Sequence, residues 1–166
     1  RLRVMNVKYL AALEAQEAAG RGKLALPAAA LPKSTSLRPS ATGLRLLGQT
    51  PAAQQALGKE GVQIRTFPFR IGRKTGRATA DALSLNDLYL PDGEPFQVSR
   101  NHCAIDLAPD GSYLVLDRGS TLGTVVNGER IGSTVRVFEA PLLAEQNTLV
   151  LGNSESPFRF QLSRAA

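Results

Sequence analysis

The chain has 166 residues, enough for one domain with its own hydrophobic core plus an extension. Its net charge is +6, with one histidine, one cysteine and no tryptophan, so an internal disulfide is excluded and too few soft ligands remain for a structural zinc site. No apolar run approaches the roughly eighteen residues that a membrane-spanning helix needs. The excess charge is not spread evenly. Residues 1–42 hold seven Lys or Arg against Glu14 and Glu17, whereas the rest carries thirteen basic and twelve acidic residues. A nearly neutral body without interleaved basic and aromatic segments argues against specific nucleic-acid binding. The lone cysteine favours a reducing, cytoplasmic compartment, and the Ala/Leu/Arg-rich N-terminal stretch suits a bacterium.

The chain begins at Arg1 rather than Met, and reads as a processed form or a piece of something longer. Residues 4–19 are rich in helix formers, with Leu10 and Leu13 on a modest apolar stripe and Gly20 as a stop. Residues 1–20 are therefore predicted to form a helix-prone arm. Residues 21–42 turn to Ala, Pro, Ser and Lys, with Pro27, Pro32 and Pro39 spaced through them, and read as an extended linker.

From Gly43 the pattern becomes short strands separated by turns. Leu44–Leu47 is a brief first strand, and Val62–Ile71 alternates partly and reads as one longer strand. Leu88–Leu90 precedes a Pro91-Asp92-Gly93 turn. Cys103–Leu107 and Tyr113–Asp117 flank Pro109-Asp110-Gly111, and Thr124–Val126 and Arg130–Ile131 flank Asn127-Gly128, both strong hairpin signals. Val135–Phe138, Thr148–Leu151 and Phe158–Leu162 complete the predicted strands. Turn signals at such regular intervals, with no β-α-β alternation, predict an all-β antiparallel sandwich of about ten to eleven strands over residues 43–164.

Between these strands lie Phe69-Arg70-Ile71-Gly72-Arg73, Asn86-Asp87-Leu88-Tyr89-Leu90, Ser99-Arg100-Asn101-His102, Asp117-Arg118-Gly119-Ser120-Thr121-Leu122-Gly123-Thr124 and Val126-Asn127-Gly128. In this order the segments resemble the forkhead-associated (FHA) domain family. The resemblance implies a module that binds phosphothreonine in a partner protein through loops at one end of the sandwich, in Ser/Thr-kinase signalling or assembly. By the same resemblance Arg73 supplies a guanidinium to the phosphate, and Ser99 and Thr121 supply donors. Thr121 also lines the pocket for the threonine methyl group, while Arg100 lies along the peptide and Ser120 and Leu122 stand beside it. His102 braces the serine loop, and Asn127 with Gly128 forms a supporting turn. Gly72 leaves room for the ligand or serves a tight turn, two readings that the sequence leaves open.

No clustered carboxylates and no nucleophile with a base beside it are visible, so neither catalysis nor a metal or other cofactor is expected. Two departures from the family pattern stand out. Leu122 occupies the place where the family usually has an asparagine that bonds the peptide main chain, which opens the alternative of a phosphate-independent interaction or oligomerisation module. The connection between Arg73 and Ser99 carries extra residues, Lys74 to Ser84, read as a basic surface loop. Thr35 and Thr42 in the linker are candidate ligands of the chain's own site once phosphorylated. The oligomeric state is left open.

Overall fold

Residues 38–165 are described by a computed structural model. The helix-prone arm, Thr35 and most of the linker lie outside the described residues. Eleven strands and two short helices are present among those described. Strand β1 (Arg38–Gly48) is followed by helix α1 (Pro51–Leu57), β2 (Val62–Phe67), β3 (Phe69–Arg73), helix α2 (Ala78–Ser84) and β4 (Leu88–Leu90). Then come β5 (Cys103–Leu107), β6 (Tyr113–Asp117), β7 (Thr124–Val126), β8 (Glu129–Ile131), β9 (Glu139–Pro141), β10 (Gln146–Leu151) and β11 (Arg159–Arg164). They form two sheets, ordered β2-β1-β11-β10-β7-β8 and β4-β3-β5-β6-β9. None of the helices is long and apolar enough to cross a membrane.

The core lies between the sheets and is built by period-two alternation. In β10 the residues Asn147, Leu149 and Leu151 turn inward, and in β11 Phe160 and Leu162 do the same. Phe67, Ile71, Ile105, Leu149, Phe158 and Phe160 are among the side chains withdrawn from solvent, each worth about 1.5–3 kcal/mol of transfer free energy. Three predicted elements need correction. Val62–Ile71 is two strands in different sheets, because Pro68, with no N–H for a ladder, marks the point where the chain crosses between layers. The first strand reaches back to Arg38, so the exposed Thr42 sits in β1 rather than in a linker. Val135–Phe138 is not a strand; residues 133–136 form turns with Arg136 at φ 56°, and the strand that pairs with β6 is β9.

All strand pairings are antiparallel except β3 with β4, which is parallel. Parallel neighbours cannot be joined by a hairpin and need a crossover of about a dozen residues, commonly with a helix. The segment read as a surface loop, Lys74 to Ser84, is the larger part of that crossover and contains α2. In the same sheet Ile71 pairs with Cys103, and Cys103 with Asp117. That shared row brings Gly72 and Arg73, His102, and Arg118 to one end of the sandwich.

Candidate functional site

The loop before β5 is organised by His102, which is fully buried. Its Nδ1 accepts the backbone N–H of Ser99 at 3.0 Å, so Nε2 carries the proton and donates to the Gly123 carbonyl at 3.0 Å. Its backbone N–H donates to Ile71 at 3.1 Å and its carbonyl accepts from Arg118 at 2.9 Å. Burial is the largest influence on the ring and pushes its pKa down to about 4, against the opposing pull of Asp117, the Gly123 bond and Asp92. One imidazole thus joins the Ser99 loop to the turn between β6 and β7, and both ring nitrogens are engaged in doing so. It is a brace and has no lone pair left for proton transfer.

The β6–β7 turn is organised by Asp117. The alternation of β6 directs this carboxylate inward at the strand end, where an unpaired carboxylate would be costly. The turn folds over it instead. Oδ1 accepts the N–H groups of Gly119 at 3.0 Å and Ser120 at 2.9 Å, and Oδ2 accepts the hydroxyls of Ser120 at 2.5 Å and Thr124 at 2.7 Å. Ser120 is buried as a result and belongs to the turn's interior rather than to its surface. Thr121, next along, is turned outward and exposed.

These two organised loops meet at Ser99 and Thr121. The Ser99 Oγ accepts the Thr121 N–H at 2.9 Å and lies 3.4 Å from the Thr121 hydroxyl. Arg73 joins them from the end of β3: its N–H donates to the Ser99 carbonyl at 2.9 Å, and its Nε to the Val98 carbonyl at 3.0 Å. The guanidinium lies over Phe96, with its carbon 3.8 Å from the ring centroid. Nε is spent on the fold, which leaves the two terminal nitrogens as the donors of this guanidinium. The Asp92 carboxylate fixes the Phe96 loop by accepting the N–H groups of Gln97 and Val98, both at 2.7 Å.

Gly72 resolves to a packing requirement. A Cβ there would lie 2.0 Å from the Arg100 carbonyl oxygen and 2.4 Å from the Asn86 Nδ2. Only glycine lets the Ser99–His102 loop rest on β3. Asn86 holds that loop by donating to the Arg100 carbonyl at 2.7 Å, and its own carbonyl accepts from Arg118 at 2.6 Å. Burial lowers the pKa of the Arg118 guanidinium, which also reaches the Ser84 carbonyl at 3.3 Å. The Arg100 side chain is exposed beside this scaffold, and Leu122 is half-buried. Asn127 and Gly128 stand at the far end of β7, where Asn127 accepts from Thr148 and donates to Asn147, both at 2.9 Å. They secure the β7–β8 turn to β10, not the loops at the other end.

Of the residues singled out in the sequence, Arg73, Ser99 and Thr121 are brought together, with Arg100 exposed nearby. Asp117, Asn86, Arg118 and Phe96, which hold these loops and the Arg73 guanidinium in place, were not singled out in the sequence. A lone aromatic directly after the Pro- and Gly-containing stretch 91–95 was the available signal for Phe96. Taken together, a guanidinium and two hydroxyls suit a multiply charged oxyanion. Among the described residues no group of three or more His, Cys, Asp or Glu could hold a metal ion. The Cys103 thiol is buried and its pKa is driven up by that burial, so it is poorly suited to act as a nucleophile.

A family model for the FHA domain matches residues 69–151, half of the chain. No curated protein matches by sequence. Among solved structures, Mycobacterium tuberculosis EmbR in complex with a low affinity phosphopeptide aligns at 20% identity and a TM-score of 0.50, covering 75% of this chain and 25% of EmbR. The chain thus spans about a quarter of that protein. The FHA domain of CT664 from Chlamydia trachomatis aligns at 21% identity and a TM-score of 0.50, covering 75% of this chain and 100% of that domain. A domain analysed for phosphothreonine-dependent FHA interactions aligns at 23% identity and a TM-score of 0.50, covering 74% and 96%.

Proposed function

Because the chain belongs to the FHA domain family, we propose that it is a protein-interaction module that recognises phosphothreonine in a partner through Arg73, Ser99 and Thr121. The observation that carries this reading is the meeting of Ser99 and Thr121, 22 residues apart in sequence, at 2.9 Å beside the tethered Arg73. A phosphomonoester near pH 7 carries about −1.5 to −2 charges and three acceptor oxygens. Arg73 offers it charge-assisted donors, and the hydroxyls of Ser99 and Thr121 offer neutral ones. Both hydroxyls now face each other at 3.4 Å, a weak contact that a phosphate oxygen would replace at little cost. The loops are fixed before the ligand arrives, by His102 and Asp117, so little ordering has to accompany binding.

Selection for threonine over serine rests in this reading on the ligand's methyl group, which is worth about tenfold when a pocket encloses it. The partner's identity and the kinase that marks it are set by residues flanking the phosphate. Fluorescence polarisation with phosphothreonine, phosphoserine and unmodified peptide libraries tests the reading. Binding is expected only with phosphate, strongest with phosphothreonine, and weakened about tenfold or more by Arg73→Ala or Ser99→Ala. A partner that stays bound after phosphatase treatment would instead support the phosphate-independent module that Leu122 left open.

A further inference from the structure

A second feature lies on the outer face of the six-stranded sheet. Arg159 on β11 pairs with Val150 on β10, Val150 with Val125 on β7, and Val125 with Arg130 on β8. These four residues form one row across four strands. Their sequence neighbours Phe160, Leu149, Val126 and Ile131 point into the core, so the row faces outward by strand alternation. It floors a groove of about 570 Å³ whose lining contains both arginines and no carboxylate. The arginines are steadied by neutral carbonyls, Arg130 by Leu122 and Arg159 by Ser154 and Ser156. Those contacts orient the guanidinium groups without neutralising them.

The register fixes the spacing of the two arginine positions. Four adjacent strands at about 4.8 Å place the two arginine positions about 14 Å apart, with two valines between them. An extended peptide advances about 3.3 Å per residue, so side chains at i and i+4 share one face about 13 Å apart, with i+2 midway. We propose that this groove binds an extended segment of a partner protein with the pattern acidic-x-apolar-x-acidic, laid across the strands and independent of phosphate. Its two carboxylates meet Arg159 and Arg130, and its central apolar side chain covers Val150 and Val125. Nucleic acid fits less well, because the middle of the row is aliphatic and the one aromatic of the lining, Phe160, is buried and cannot stack a base.

The test uses the whole chain, isotope-labelled for NMR, titrated with the capped peptide Glu-Ser-Val-Ser-Glu. The controls are Glu-Glu-Ser-Val-Ser, of the same composition, and Gln-Ser-Val-Ser-Gln. Saturable shifts of the Val125, Thr148 and Val150 amides are expected, about fivefold or more weaker for both controls, and reduced as salt is raised. Arg159→Glu and Val150→Glu should each abolish them. The wild-type map keeps the proposal open to refutation should either variant fold poorly. No saturable shift, equal response to the reordered peptide, or shifts confined to residues 99–102 and 119–123 would overturn it. So would a stronger response to a single-stranded oligonucleotide, or shifts that follow protein concentration without peptide and mark a second copy as the occupant. Phosphothreonine binding that survives Val150→Glu would leave the reading of the phosphate site intact whichever way this result falls.

Discussion

The backbone N–H of Ser99 donates to Nδ1 of His102 at 3.0 Å, so the serine proposed to meet the phosphate is held by an imidazole that must stay neutral. A proton on Nδ1 would set two donors against each other. Burial keeps the folded pKa at about 4, whereas the unfolded chain takes up that proton near 6.5. Between these values the unfolded state binds more protons, so stability falls as pH drops through the window and is regained above it. The loss should approach about 3 kcal/mol at pH 4, from 1.36 kcal/mol per unit. Urea unfolding from pH 4 to 7 should show a steeper dependence for the wild type than for His102→Asn. Equal slopes would remove His102 from the account.

Gly72→Ala should act on stability and binding together. The added methyl would meet the Arg100 carbonyl at 2.0 Å, and that carbonyl is backbone held by Asn86, not the tip of a yielding side chain. The Ser99–His102 loop must lift from β3, at about 1–3 kcal/mol for a forced overpacking of this kind. Thermal unfolding and peptide titration should register both losses. A variant with wild-type Tm would show that the loop is not seated as described.

How much of this could be read in the sequence depended on the range of the interaction that decided it. Cys103–Leu107 and Tyr113–Asp117 were legible because alternation and the Pro109-Asp110-Gly111 turn are local signals. Alternation hid the break at Pro68, since apolar residues continue on both sides while the inward direction passes from one sheet to the other. Val135–Phe138 has strand composition, but β6 pairs with the less apolar Glu139–Pro141, a long-range choice that composition does not encode. The crossover role of the α2 segment needs the parallel β3–β4 pairing, which periodicity cannot report. That Arg73, Ser99 and Thr121 come together was legible from the order of the short motifs. The burial of Ser120 was not, because it follows from Asp117 pointing inward 3 residues away.

Ser120 and Thr121 should separate cleanly when mutated. Ser120→Ala removes a 2.5 Å bond to a buried carboxylate, and should cost about 1.5–3 kcal/mol of stability. Its phosphopeptide affinity should be unchanged well below Tm. Thr121→Ala should do the reverse, because its hydroxyl is exposed and faces Ser99 across the site. Differential scanning calorimetry paired with peptide titration gives both readings. Lost affinity at unchanged Tm for Ser120→Ala would return Ser120 to the binding surface.

Phe96 should contribute to affinity only through Arg73. The ring is 42% exposed, and the guanidinium carbon stands 3.8 Å from its centroid. An exposed cation–π contact is worth about 0.5–1 kcal/mol, so Phe96→Ala should weaken phosphopeptide binding about two- to fivefold with little change in Tm. The ring and the Val98 carbonyl together hold the guanidinium in place, and losing the ring frees Arg73 to sample positions that miss the phosphate. In an Arg73→Ala background there is nothing left to orient, and Phe96→Ala should have no further effect. Additive losses in this double-mutant cycle would mean that the ring touches the ligand itself.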